Sequence, residues 1–297
     1  MRTDFPKPGT LRAREERIAW CFLAAPMLCL AVVVVYPVLY NVWISLHDVT
    51  IGNLRSDWPW AGIENFRRLF QDRRFVPAVA VTTLYSVSAS LLSVSLGLLA
   101  ALLLNREFRG RGLARGLFLF PFVTPVVAVA FIWRWMLDTD GLVNWALVRA
   151  GVLDAPVAFL SERGWALAGV ILFEGWRYFP FAMLLILARL QAVPATLYEA
   201  ADIDGAGTWG QFRHVTLPQI RYVLGVLLLL RLMWTFNKFD DIYLLTSGAA
   251  GTNVLPILIY EYSFGRSLFG QGAAAAMVLF ALLAAILFFY VRKVLRW

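Results

Sequence analysis

Cysteine is nearly absent from this 297-residue chain: Cys21 and Cys29, eight apart in one apolar stretch, are the only two. So placed, they neither staple a fold nor form a known metal spacing, and they read as small apolar packing residues. Histidine is equally scarce, with His47 and His214 far apart and outside the long apolar runs, so no His-Glu-x-x-His zinc site exists. Gly-x-Ser-x-Gly is missing, and so is Gly-x-x-x-x-Gly-Lys-Ser/Thr, the loop that cradles nucleotide phosphates. No catalytic residue, metal ligand or bound cofactor is therefore expected in the chain itself. Charge is sparse too: 15% of residues are charged against 60% hydrophobic, and the mean hydropathy is +0.69. A chain of this composition has lipid as its main solvent. It shows no inverted repeat and no internal period.

What is present is a series of apolar runs. Six stretches approach the roughly 20 residues that cross a bilayer: about 17–41, 76–104, 113–137, 165–189, 221–247 and 271–291. The first is too long for a signal-peptide core and lacks a nearby A-x-A cleavage pattern, so it reads as an uncleaved span. Residues 1–16, polar and carrying Pro6 and Pro8, read as a short cytoplasmic tail ahead of a six-span unit over 17–297.

The net charge of +8 would suit nucleic acid, but the basic residues are distributed as membrane topology requires. With the N-terminus inside, the inner segments carry Arg2, Lys7, Arg12, Arg14, Arg17, Arg106, Arg109, Arg111, Arg115, Arg189, Arg213, Arg221, Arg292, Lys293 and Arg296. The outer segments carry Arg55, Arg67, Arg68, Arg73, Arg74, Arg149, Arg163 and Arg266. Fifteen against eight places both termini in the cytoplasm of a multi-pass protein, though the five arginines of the first outer loop equal those of the N-terminal tail. A nucleic-acid partner is not expected.

Details of the spans carry further expectations. After the first span, Ile63, Phe66 and Phe70 share a helical face beside Trp58 and Trp60, which predicts an interfacial helix. Pro121 and Pro125 lie inside the third span, where proline frees a carbonyl and kinks the helix unless a neighbour satisfies it. Asp140-Gly141-Leu142-Val143-Asn144 reads as a turn into an outer loop, and the fourth span carries Glu174, Arg177 and Pro180. Gly272-Ala273-Ala274-Ala275-Ala276 opens the sixth span with residues small enough for close helix approach.

The most specific feature lies between two spans, at about 190–220. Pro194 suits the first turn of a helix running through Glu199, Ala200, Ala201 and Ile203. Gly205 and Gly207 end that helix, Thr208 and Gln211 fit a capping box, and Trp209, Phe212 and Val215 form an apolar face leading to Leu217-Pro218. The spacing Glu199-Ala200-Ala201, three residues, Gly205, nine residues, Val215-Thr216-Leu217-Pro218 resembles the EAA loop of the membrane subunits of binding-protein-dependent ABC importers. An anionic hairpin lying on an anionic inner leaflet is the other reading, and repulsion opposes it.

Gly62-Ile63-Glu64-Asn65-Phe66 and Tyr243-Leu244-Leu245-Thr246-Ser247-Gly248 further resemble the sugar-type branch of that family. There the second segment continues Gly-Gly-Pro; here it continues Ala249-Ala250-Gly251, which leaves that outer loop's conformation and its contact with a binding protein open.

The resemblance implies an all-α, six-span permease of type I ABC importer fold. In the family the EAA loop docks into a cleft of the ATPase, which implies coupling roles for Glu199, Ala200, Ala201, Asp204, Gly205, Leu217 and Pro218. It also implies a heterodimer with a second permease, two ATPase subunits holding ATP and Mg, and an extracytoplasmic solute-binding protein, in a bacterial or archaeal cell membrane.

Trp234, Asn237, Lys238 and Asp241 form the densest polar group in a span, and their mix of aromatic faces and hydrogen-bonding groups suits a sugar, so they are expected on the translocation path. In this reading Asn237 and Asp241 lie one turn apart on the fifth span and Lys238 pairs with Asp241 or Trp234. Tyr85 and Ser88 are candidates from the second span. A salt-bridged hinge for Asp240 and Asp241, and helix-packing hydrogen bonds for Tyr85, Ser86, Ser88, Ser90 and Ser93, are the structural alternatives. A permease for another solute class, or a secondary transporter or channel, are the functional ones; the EAA spacing speaks against the last two.

Overall fold

The computed structural model describes residues 8–294, which are almost entirely helical; among them two isolated bridges, His47 with Trp60 and Thr50 with Leu268, are the only β contacts. A first rod comprises α1 (Pro8–Leu30), a π-helical stretch (Ala31–Val35) and α2 (Tyr36–Ser45). It begins inside the segment expected to be a polar tail; Met1 to Lys7 lie outside the described residues. α3 (Glu64–Gln71), α4 (Phe75–Asn105), α5 (Arg111–Val123), α6 (Val126–Met136) and α7 (Leu142–Arg149) follow. Next come α8 (Trp165–Gln191), α9 (Ala195–Ile203), α10 (Thr208–Gln211), α11 (Leu217–Phe236), α12 (Asp240–Thr246), α13 (Leu255–Tyr260) and α14 (Phe269–Val294). Five helices are long and apolar enough to cross a membrane, six if α5 and α6 count as one bent span.

Two expected spans differ from their sequence outlines. The third is broken: α5 and α6 diverge by 93° at Thr124-Pro125. Both prolines contribute, and Arg177 on α8 donates to the carbonyls of Pro121 (3.2 Å) and Thr124 (3.1 Å) that the break leaves open. The fifth, outlined as 221–247, begins instead at Thr208, runs without interruption through a π-turn (Phe212–Thr216), and stops at Phe236. Asn237 caps it, and residues 240–246 form the separate α12, so Asn237 and Asp241 do not share a helix.

Of the three π-turns among the described residues, two share a cause; the third, Glu261–Gly265, precedes no proline. The carbonyl one turn before Pro37 is that of Val33, and before Pro218 that of His214; each falls within a π-turn, whose wider winding keeps the proline ring off that carbonyl.

α4 organises the bundle. It packs along α8 and contributes to three apolar clusters in turn: Phe75 and Ala78 with α3, α13 and α14; Tyr85 and Ala89 with α6, α8 and α12; Ala100, Ala101 and Leu104 with α8 and α11. The close approach rests on Gly97, where an added Cβ would lie 2.6 Å from Ala182 Cβ and 2.8 Å from the Met183 nitrogen. The small residues opening α14 act similarly: Ala273, Ala274 and Ala275 are buried.

At the end opposite the α9–α10 hairpin, the Gly62-x-x-Asn65-Phe66 pattern has a physical basis. Gly62 adopts φ +54°, and Asn65 Nδ2 donates to the carbonyls of Ser45 (2.9 Å) and His47 (2.8 Å), pinning α3 to the end of α2. Ile63 and Phe70 stay exposed, an arrangement compatible with an interfacial helix. Nearby, Asp72 binds the guanidinium of Arg74 (3.0 Å) and the hydroxyl of Tyr262 (2.7 Å), and these partners hold its carboxyl well below the usual carboxylate range. Arg74 also pairs with Glu261 at 2.7 Å. The loop after α12 turns through left-handed Ser247, Gly248, Ala250 and Gly251, closed by a 2.6 Å bond between the hydroxyls of Thr246 and Thr252.

Gly97→Val should destabilise the bundle by about 1–3 kcal/mol through overpacking, lowering the thermal midpoint of the detergent-solubilised chain. The same change at Gly116, where an added Cβ meets nothing within 4 Å, should leave the midpoint nearly unchanged. Equal effects at both positions would show that α4 and α8 can part without loss.

Candidate functional site

The topology count leaves four basic residues unassigned, Arg134, Arg177, Arg231 and Lys238, and three of them converge on Tyr178 of α8. Arg231 on α11 is fully buried and its Nη2 donates to Glu174 Oε1 at 2.7 Å; Glu174 is fully buried as well. Arg231 Nε donates to Ser93 Oγ on α4 (3.1 Å), and Thr235 Oγ1 donates back to the Arg231 carbonyl (2.7 Å). The guanidinium carbon of Arg231 stands 4.3 Å from the centroid of the Tyr178 ring. Lys238 Nζ stands 4.7 Å from the same centroid and donates to the Tyr178 hydroxyl at 2.6 Å. Arg177 is the third, spent on the broken span. Removing two opposite charges from water costs more than one contact returns, so such a pair persists where further hydrogen bonds surround it. Ser93 and the Tyr178 ring supply part of this for the arginine, while Glu174 Oε2 and Arg231 Nη1 are buried without a hydrogen-bond partner.

Lys238 lies just beyond the end of α11 and pairs with Asp240 and with buried Asp241, each at 3.2 Å. Its partners are thus both acids of α12 and not Trp234. Beside it a row of rings faces outward: Phe122 with Tyr178 (centroids 6.0 Å apart) and with Phe181 (6.1 Å), and Phe181 with Trp234 (5.1 Å). Trp234 is 46% exposed; Asn237 is exposed, its amide donating to the Met233 carbonyl.

Of the residues expected on a path, Trp234 and Asn237 are exposed, while Lys238, next in the chain, keeps only 14% of its side chain exposed. Asp241 stands behind them, Tyr85 is buried in the α4–α6–α8 core, and Ser88 is half-buried. Ser90 and Ser93 make helix-packing bonds, the first to Thr235 Oγ1 at 3.4 Å. Sequence reasoning missed Arg231, Tyr178, Phe122 and Phe181. Arg231 had a visible signal, a lone charge in the run Leu227-Leu228-Leu229-Leu230-Arg231-Leu232. The rings had none, because aromatics on a span are ordinary.

The second cluster is the α9–α10 hairpin. Helix α9 follows Pro194 and has no buried residue: Glu199, Ala200, Asp204 and Gly205 are exposed, Ala201 is half-buried, and Ile203 is 88% exposed. Gly205 turns the chain at φ +77° with nothing within 4 Å of its would-be Cβ. The expected Thr208–Gln211 capping box does not form. Gly207 occupies the cap position, and the Gln211 amide reaches across the turn to Asp202 and to the Ala206 carbonyl. Tyr198 and Thr216 share a hydroxyl bond of 3.1 Å. These contacts tie α9 to the base of the long helix, which runs from Thr208 to Phe236. Leu217 and Pro218 are exposed on its first turns.

Residues 93–296 match the family described as binding-protein-dependent transport system inner membrane component. The inner membrane ABC transporter permease protein YcjO of Escherichia coli is 36% identical over 273 residues, 91% of each chain. The trehalose/maltose transport system permease protein MalF of Thermococcus litoralis is 35% identical over 286 residues, 95% of each chain. The trehalose transport system permease protein SugA of Mycobacterium tuberculosis is 32% identical over 290 residues, covering 97% of this chain and 92% of its own. Among solved structures, a bacterial ABC transporter involved in import of the acidic polysaccharide alginate superposes with a TM-score of 0.79 at 23% identity, over 94% of this chain and 95% of that one. The same kind of transporter with its alginate pentasaccharide-bound periplasmic protein gives 0.80 at 22%, over 95% of each. The fold is that of these permeases.

Glu174→Ala or Arg231→Ala should each cost about 3–5 kcal/mol by leaving one buried charge unpaired. Replacing both by Met should restore most of the loss, as thermal unfolding of the solubilised chain would show. A double variant as unstable as either single one would mean that the two charges are not held as a unit.

Proposed function

From its membership of the binding-protein-dependent transport system inner membrane components, to which the chain belongs, we propose that it is one of two permeases in an ATP-driven importer of a sugar or related polyol. In this reading it pairs with a second permease and two ATPase subunits that hold ATP and Mg, and a solute-binding protein delivers the cargo. Its termini face the cytoplasm. Relatives named for trehalose and maltose support the sugar class, as does the row Phe122, Tyr178, Phe181 and Trp234 beside Lys238 and Asn237. Ring faces cover the apolar face of a pyranose while ammonium and amide groups take its hydroxyls.

The observation that carries the mechanism is the continuity of the helix from Thr208 to Phe236. At 1.5 Å per residue it spans roughly 43 Å. The hairpin is bonded to one end of this rod through Tyr198–Thr216 and Gln211–Asp202; Asn237 and Lys238 follow its other end. An ATPase that grips Glu199, Ala200 and Ala201 and then closes would move the hairpin and tilt the rod. The tilt would shift the Lys238 face relative to its partner permease, opening the path to one side or the other. The exposed Ile203 and the small Ala200 leave α9 a face that a protein groove can cover.

Gly205→Val should place a β-branched residue in the left-handed region at a local cost of about 1–3 kcal/mol, misdirecting α9 while sparing the spans. Co-purification with the ATPase, or hydrolysis stimulated by loaded binding protein in liposomes, should fall severalfold. Gly205→Asn should fall less, because asparagine tolerates that conformation, and Gly207→Ala, at φ −67°, should be nearly normal. Wild-type assembly, stimulation and uptake in Gly205→Val would remove the hairpin from the coupling role.

Asn237→Ala and Lys238→Ala should reduce solute uptake with assembly intact. Unchanged uptake kinetics in both would assign these residues to packing.

A further inference from the structure

A groove of about 630 Å³ lies where the last turns of α4 meet the hairpin. Its floor is apolar, formed by Leu98, Leu99 and Leu102 of α4 with Trp209 and Phe212. Leu99 and Trp209 are 63% and 71% exposed, large areas for residues of this kind. Leu98 sits seven residues from the end of a 31-residue helix, roughly 10 Å in from that end at 1.5 Å per residue. The α4 part of the floor therefore lies at hydrocarbon depth.

The rim is polar: Asn105 and Arg106 stand at one end, and the hydroxyls of Tyr198 and Thr216, bonded to each other, are on the hairpin side. Arg106 is exposed and has no ion pair among the described residues. It begins a run, 106–115, holding four arginines against the single acid Glu107. Where the hairpin's acids approach, Asp202 is occupied by the Gln211 amide.

An apolar trough at bilayer depth, ending in an unpaired arginine and hydrogen-bonding groups, matches a molecule with an acyl chain and an anionic phosphate head. We infer that this groove binds an anionic phospholipid of the inner leaflet, its acyl chain along Leu98, Leu102, Trp209 and Phe212 and its phosphate at Arg106. A lipid so held touches both α4 and the hairpin, and thereby steadies the element assigned to coupling. The site itself does not depend on which solute is carried.

The test uses Trp209 as the reporter, in the full chain reconstituted in nanodiscs. Its contribution among the twelve tryptophans is isolated as the difference between wild type and Trp209→Phe. Brominated phosphatidylglycerol or brominated phosphatidylcholine is then titrated into unlabelled phosphatidylcholine. Brominated phosphatidylglycerol should quench Trp209 at about fivefold lower mole fraction than brominated phosphatidylcholine, as one basic side chain at an anionic surface would give. Arg106→Gln should abolish that preference, whereas Arg221→Gln, outside the groove, should keep it. Equal quenching by both lipids would show bulk contact only, and no quenching by either would show the groove closed to lipid. Either result overturns the inference, as would a preference that survives Arg106→Gln.

Discussion

A carboxylate and a guanidinium, neither with measurable exposure, meet at 2.7 Å between α8 and α11, and much of the bundle is arranged to keep them there. Hydrocarbon offers no water to either group, so everything they need must come from neighbouring helices. Ser93 brings α4 to the site and Tyr178 lays its ring against the arginine. Because Tyr178 also takes the hydroxyl bond and ring contact of Lys238, the pair is linked to the acids of α12. One turn of α8, from Glu174 to Tyr178, thus joins α4, α11, α12 and, through Arg177, the end of α5 at the break in the third span.

This arrangement makes the long helix a lever with a fixed point. Its lower end carries the hairpin, its upper end leads into the Lys238 face, and Arg231 fastens it near the upper third. Between Pro218 and Phe236 the helix has neither proline nor a π-turn at which it would bend. The π-turn at Phe212–Thr216 sits below, where the hairpin joins. Compliance is thereby confined to the hairpin end of the helix.

Much of this was legible in the sequence. The number of spans, the hairpin and the turn at Gly205 follow from hydropathy, spacing and glycine placement, because each is a local property. The proline-containing third span announced its freed carbonyls, but the donor that takes them, Arg177, lies more than fifty residues away in sequence, and nothing local gives the 93° angle. The end of the fifth span was invisible for a similar reason. Asn237, Lys238, Asp240 and Asp241 interrupt the apolar run between Phe236 and Ile242, but only the contacts of Lys238 with Tyr178, Asp240 and Asp241 show that the helix stops there and does not carry the polar group along one face. The Thr208–Gln211 pattern misled because Asp202, across the turn, competes for the glutamine amide. What sequence concealed was long-range polar pairing.

The first rod differs in kind from the rest. None of the most apolar window of residues 19–45 is buried within the chain, and contact with the bundle comes from α2, against α14. Within this chain, most side chains of the rod meet no neighbouring side chain and answer to hydropathy alone. The family match begins at Ser93, beyond this rod altogether. Most of this segment can therefore change in length or decoration without disturbing how the remaining helices of the chain pack against one another.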